Sequence, residues 1–247
     1  MARITAKSAG LLVDEFDFSG VSNSMTLNFS EAPVDVTAFA DTDMTFLQGK
    51  PGFNFDVNGL WSTASPNYDG EMFTDLTATN RKVGIYPGGL SDGVFGYEGV
   101  TNVSASPRVS TIGDAIACNV SWQGASAPFR STILRYATDS SSGNGTQYTL
   151  GTIANTNTII GVLRLLEIGG SGNNTLDVKI QSGQSGYSSP SDRLTFTQLN
   201  QGSGATFETK TATGPAGSDN IWRVVVTIGG AGSREFNLIV GFGYYVT

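Results

Sequence analysis

Apolar and polar residues alternate along most of this chain with a period of two. Phe53, Phe55, Val57, Gly59 and Trp61 share one side of such a stretch, with Asn54, Asp56, Asn58 and Leu60 on the other. Leu176, Val178 and Ile180 alternate with Asp177, Lys179 and Gln181, and Trp222, Val224, Val226 and Ile228 form a further apolar face. Successive side chains of a strand point to opposite faces, so each stretch reads as a β-strand with one face on a core. The last stretch sets Phe236, Leu238, Val240, Phe242, Tyr244 and Val246 against Asn237, Ile239, Gly241, Gly243 and Tyr245. Glycines inside a strand mark bulges or close backbone approach. Turn signals punctuate the strands at Gly88-Gly89, Gly169 to Gly172, Gly183 to Ser189 and Gly229 to Gly232. Helical spacing occurs at Tyr68–Thr77, where Met72, Phe73 and Leu76 recur at helical intervals and Asp69 and Glu71 suit a first turn. The expectation is an all-β protein with one short helix, built as a β-sandwich or barrel.

Composition changes this picture in one respect. Charged residues are 14% of the 247, against about a quarter in an ordinary soluble domain. Few charges and many small polar residues suit a surface covered by neighbouring molecules, and also an extracellular sandwich. The net charge of −7 is unevenly spread: residues 1–128 hold 14 acids and 6 bases, and residues 129–247 hold 7 acids and 8 bases. Gly124 to Pro128 reads as a linker, which divides the chain into an acidic β domain, 1–128, and a second β-rich half, 129–247. Seven carboxylates (Asp14, Glu15, Asp17, Glu31, Asp35, Asp41 and Asp43) lie within residues 8–49, which contain no Lys or Arg. Such a surface repels phosphate backbones.

Candidate chemistry is sparse. Without histidine there is no Ser-His-Asp or Cys-His arrangement and no usual zinc set. The lone Cys118 alternates with polar residues beside Ile116, Val120 and Trp122 and is expected to be an inert core thiol. Asp14, Glu15 and Asp17 read as solvated strand residues, with Glu15 opposite its neighbours, rather than a glycosidase pair. Gly169 to Leu176 approaches a calcium β-roll nonapeptide, but a single imperfect copy reads as a hairpin turn. No phosphate-cradling loop is found, and the bases are too scattered for a nucleic-acid footprint. Trp61, Trp122 and Trp222 fall on apolar faces and are expected in the core. No catalytic residue, metal site or cofactor is expected, and no leader or membrane-crossing run is seen.

Pro33 to Gly52 fits a core less well. It begins as a strand at Val34, Val36 and Ala38, then carries Phe39, Met44, Phe46 and Leu47 among acids and closes on a Gly-x-Pro-Gly turn. A loop of this length is usually functional, and apolar side chains on it favour a protein–protein contact. The competing reading is a hairpin folded back on its own core.

The run Val34-Asp35-Val36-Thr37-x-Phe39-x-Asp41, then Thr45-Phe46-Leu47-x-Gly49, then an alternating strand ending Gly59-Leu60-Trp61, resembles the tail tube (major tail) proteins of long-tailed bacteriophages. Thr175 to Ser182, Leu194 to Thr197, Trp222-Arg223 and Val240 to Gly243 are similar to C-terminal parts of such virion proteins. The resemblance implies a tail-tube β-sandwich with a flanking helix at Tyr68–Thr77. It implies a homo-oligomer of hexameric rings stacked into a tube and joined to other phage tail proteins. DNA would pass through that tube without specific binding. Such a protein is made in the host cytoplasm and resides in the virion tail. Val34, Val36, Phe39, Met44, Phe46 and Leu47 would then belong to a loop reaching the adjacent subunit, and the seven acids would be candidates for the lumen lining. Two other readings stay open: a carbohydrate-binding adhesin and a capsid decoration protein.

Overall fold

The computed structural model describes residues 8–31, 33–40, 42–49, 51–61, 70–71, 79–109, 114–184, 186–187 and 190–245. Twenty strands follow one another along them. The first ten are β1 (Gly10–Val13), β2 (Phe16–Asp17), β3 (Ser22–Glu31), β4 (Val34–Asp35), β5 (Phe46–Leu47), β6 (Pro51–Leu60), β7 (Arg81–Tyr86), β8 (Phe95–Ala105), β9 (Arg108–Val109) and β10 (Ala117–Gly124). The rest are β11 (Phe129–Asp139), β12 (Gly143–Asn144), β13 (Tyr148–Thr149), β14 (Thr158–Gly170), β15 (Thr175–Gly183), β16 (Ser191–Thr195), β17 (Leu199–Asn200), β18 (Thr206–Thr213), β19 (Ile221–Gly229) and β20 (Arg234–Tyr245). The all-β class is as expected. The helix expected over Tyr68–Thr77 lies outside the described residues except for Gly70 and Glu71, which are helical. The chain forms two compact units: residues 1–17, 84–98 and 129–247 make one, and residues 18–83 and 99–128 make the other.

The larger unit is a two-layer sandwich. One layer carries the order β18-β14-β20-β11, and the other carries β12-β19-β15-β16, with β13 also on β19 and β17 on β15. Leu163, Leu165, Leu238, Val240 and Phe242 of the first layer meet Leu176, Val178, Ile180, Trp222, Val224 and Val226 of the second in one core. Trp222 and Phe242 stack across the layers with centroids 4.3 Å apart. These are the faces that alternation picks out.

The last strand departs from its pattern. Ile239, on the side opposite Phe236, Leu238 and Val240, is buried too, in a second cluster with Leu12, Tyr86 and Ile133. The first layer is therefore covered on both faces, and strands covered on both faces read as continuous apolar runs. Gly241 lies on that second face because a Cβ there would come within 2.5 Å of Glu98 Oε1. Tyr244, placed by alternation with the core residues, is instead exposed.

The Gly169 to Leu176 segment is no hairpin turn. It carries the chain from β14 in one layer to β15 in the other. Gly170 and Gly172 take positive φ of 89° and 108° and lie against the Ala231–Ser233 backbone, where any Cβ would collide with carbonyl oxygens at 2.4 Å. Asn174 ties the crossing down by donating from Nδ2 to Ser171 O, Ser233 O and Gln201 Oε1.

In the smaller unit β3, β6 and β10 lie side by side, with β9 and residues 101–105 of β8 also paired to β10. Phe53, Phe55, Val57, Cys118, Val120 and Trp122 are buried on one face. Phe55 opposes Trp122 in register, and their rings stack at 4.5 Å. Gly99 and Gly124 leave the room that the Phe53 ring fills. Trp61 breaks the expected series: it ends the strand 43% exposed, and Ile116 is likewise exposed. Among the described residues β3 pairs only with β6, and none of its positions is fully buried.

Candidate functional site

The β3–β6 hairpin does not close where its sheet ends. Ser30 pairs with Gly52 and Glu31 with Pro51, and beyond them the chain continues as a narrower two-stranded ribbon. Val34 opposes Leu47, and Asp35 opposes Phe46. The Val36 amide donates to Thr45 O at 2.9 Å and extends the ribbon by one step. Thr37 then locks it. Its hydroxyl donates to Asp35 Oδ1 at 2.6 Å and accepts from the Thr45 amide at 2.9 Å, while its own amide donates to the same Asp35 oxygen. These bonds favour the carboxylate and hold Asp35 below its ordinary titration range, the Thr37 hydroxyl contributing most.

Every described residue from 33 to 48 is exposed. Val34, Val36, Phe39, Met44, Phe46 and Leu47, all singled out from the sequence, keep their apolar side chains in solvent, and Phe39 is 114% exposed, more than in an extended reference. The segment is thus a hairpin, as one reading had it, but it is not folded back on its own core. None of these six large apolar side chains is part of a buried cluster, and exposed apolar patches of this kind mark interaction sites in general.

The seven acids do not form one surface element. Asp14 and Glu15 make the two-residue turn between β1 and β2, where Leu12 pairs with Asp17 and Val13 with Phe16. The expectation that they lie along a strand is corrected accordingly. Asp14 takes a φ of 49° and is 1% exposed, so its carboxylate is withdrawn from any lining. Glu15 and Asp17 are half-buried. Glu31, Asp35 and Asp43 are exposed on the arm and at its base, and Asp41 lies outside the described residues. Two elements in different units therefore share what the sequence presents as a single acidic run.

Sequence reasoning missed a charged pair in the larger unit. Arg164 of β14 and Glu98 of β8 are both fully buried, with Arg164 Nη2 3.1 Å from Glu98 Oε2 and Nη1 3.2 Å from Oε1. Tyr86 donates its hydroxyl to the same carboxylate, and Ser131 Oγ lies 3.3 Å from it. Burial and the neighbouring Glu98 charge push the Tyr86 phenol well up. Burial works against the Arg164 charge, but Glu98 outweighs it and the guanidinium is held above its ordinary value. A signal existed: Arg164 stands alone in the apolar run Ile159 to Leu166, and a charge within a doubly buried strand needs a buried partner. No group of three or more metal-ligating side chains occurs among the described residues.

No family model and no curated protein matches the chain. Solved structures do. A chain of the native gene transfer agent virion is 13% identical, with 48% of this chain and 92% of that one covered and a TM-score of 0.38. A chain of the tail of the empty gene transfer agent particle, solved with six-fold symmetry, is 13% identical over 51% of this chain and 97% of that one, at 0.39. The Dit protein of phage SPP1, described as a hub of the adsorption apparatus, is 9% identical over 96% of this chain and 99% of that one, at 0.38.

Proposed function

We propose that this chain is a structural subunit of a phage-type tail and, more narrowly, a tail tube protein that assembles with copies of itself into stacked rings. The observation that carries the reading is the arm. It is ordered by its own hydrogen bonds, exposed along its described length and apolar at six positions. The sequence pattern resembling tail tube proteins falls on this same ribbon and the strand after it. A surface patch that meets a different patch on the next copy makes a heterologous contact, which closes into rings or propagates as a filament. β3, which among the described residues is hydrogen-bonded on one side only, offers a further backbone edge. Glu31, exposed at the base of the arm, is the acid that would face passing DNA and repel it, so that the polymer slides without binding.

The test is negative-stain electron microscopy of the concentrated chain beside its Phe46→Asp variant. Rings or tubes with a central channel are expected from the parent. The variant is expected to remain dispersed while melting as the parent does, because Phe46 is not in either core. Normal tubes from Phe46→Asp would overturn the reading.

A further inference from the structure

If the arm makes a heterologous contact, its receptor must be a different patch of the same chain. Among the described residues, the large apolar side chains exposed away from the β3–β6 hairpin are Phe95, Ile116, Tyr136 and Tyr244, of which Tyr136 is the least exposed. Ile116 belongs with Trp61 at the end of that hairpin's second strand, where its carbonyl accepts from the Trp61 amide at 2.9 Å. Phe95 and Tyr244 instead line one cleft of the larger unit, together with Arg130, Thr132, Tyr148 and Leu150. The cleft has a volume of about 550 Å³, which admits a phenyl ring and its flanking residues. The Arg130 guanidinium lies 4.1 Å from the centroid of the Phe95 ring and makes no ion pair among the described residues. Asp92 acts electrostatically on Tyr148 and Arg135 from nearby, but Arg130 is the only charged residue in the lining. Two glycines shape the wall: a Cβ at Gly93 would strike the Tyr148 ring at 2.8 Å, and one at Gly243 would strike Arg130 O at 2.2 Å.

We propose that this cleft receives the arm of a second copy of the chain, with the Phe39 ring seated among Phe95, Tyr148 and Tyr244 and the arm's carboxylates facing Arg130. The complementarity is of apolar character and of charge. The arm is exposed, apolar and acidic, with Asp35, Asp41 and Asp43 and no base between residues 33 and 49. The cleft is aromatic and carries one guanidinium that has no carboxylate partner among the described residues. Aromatic rings with a cation over one face favour a further ring at the edge, and a charge pair shielded by such rings fixes register more than it adds affinity. This rests on the assembly reading above and adds to it where the arm binds.

The test is intermolecular cross-linking in the full chain. A Phe39→Cys variant is mixed under oxidising conditions with a Thr132→Cys variant of different mass. Cys118 is fully buried and stays silent in both. A mixed disulfide in high yield is expected, with at least tenfold less when Ser218→Cys replaces Thr132→Cys. Tyr244→Cys serves as the second cleft position should Thr132→Cys fail to fold. The Arg130→Glu change in the cleft partner is expected to cut the yield severalfold, and raised salt to cut it in the parent pair. Rings that form with no cross-link above the Ser218→Cys level overturn the cleft as receptor while leaving assembly through the arm in place. The absence of both rings and cross-link overturns the two together.

Discussion

β14 and the arm treat similar residues in opposite ways. In β14, Ile159, Ile160, Val162, Leu163 and Leu165 are buried on both faces, and Arg164 is buried with them. In the arm, Val34, Val36, Phe39, Met44, Phe46 and Leu47 are all exposed, although Val34, Val36, Phe46 and Leu47 sit on paired backbone. Local strand propensity does not separate the two. The difference is what lies above each face: β14 is flanked by β18 and β20 and covered by a second sheet, whereas among the described residues β4 and β5 pair only with each other. The lesson is that apolar burial is concentrated in the sandwich, while the arm's apolar side chains take no part in it.

The sharpest way to break this contrast is to strike the buried charge. Arg164→Met leaves the Glu98 carboxylate enclosed without its guanidinium, and losing one partner of a buried pair costs about 3–5 kcal/mol. Urea unfolding should show that loss in the midpoint. The Glu98→Gln/Arg164→Met double variant should recover much of it, because neither charge then remains. A single variant no less stable than the parent would mean that this face of β14 is wetter than its burial shows.

A smaller effect separates the sandwich from the arm by pH. In the second layer, Ser182 Oγ donates to Asp219 Oδ2 at 2.5 Å and Arg193 Nη2 at 2.8 Å. Burial alone would raise the Asp219 carboxyl, and these two donors more than reverse it, so the group titrates below its ordinary value. A folded-state pKa below the unfolded one means that the native state binds fewer protons. The stabilisation is therefore full above roughly pH 4 and is lost as pH falls through the folded value. Asp192, held by Lys179 and Gln181, and Glu208, where Lys210 and Thr197 outweigh burial, act with the same sign. Asp219→Asn should cost on the order of 1 kcal/mol at neutral pH and make the acid side of the stability–pH curve shallower. An unchanged slope between about pH 5 and 3 would remove Asp219 from the acid response.

Alternation made the two cores legible in advance. Phe53, Phe55 and Val57, Leu176, Val178 and Ile180, and Trp222 to Ile228 are buried as their spacing indicates. The arm's residues were legible for the opposite reason, because Phe39 and Met44 fit no period. Three things were not legible. A strand covered on both faces loses its period, which hid the burial of Ile239. A two-residue turn can be acidic, which made Asp14-Glu15 look like strand. The pairing of Glu98 with Arg164 joins residues 66 positions apart, and nothing local in either neighbourhood names the other. The aromatic cleft was hidden likewise, since Phe95, Arg130, Tyr148 and Tyr244 come from four strands.

The smallest expected change in stability is the most informative about the arm. Thr37 is exposed, and its hydroxyl joins Asp35 to the Thr45 amide across the ribbon. Thr37→Val keeps the shape and the β-branching while removing that link. Surface changes away from the core usually fall within about 0.5 kcal/mol, so thermal unfolding should be unaffected. The Asp35 carboxyl, freed of its strongest donor, should titrate closer to its ordinary value, an upward movement that carboxyl-resolved NMR would detect. The residues between Thr37 and Thr45 would then have to be ordered at the moment of binding, and that entropy would weaken association. Weaker assembly with an unchanged melting point would show that the ribbon is pre-organised for its contact. Full assembly with a shifted Asp35 would show that the partner surface alone orders the tip.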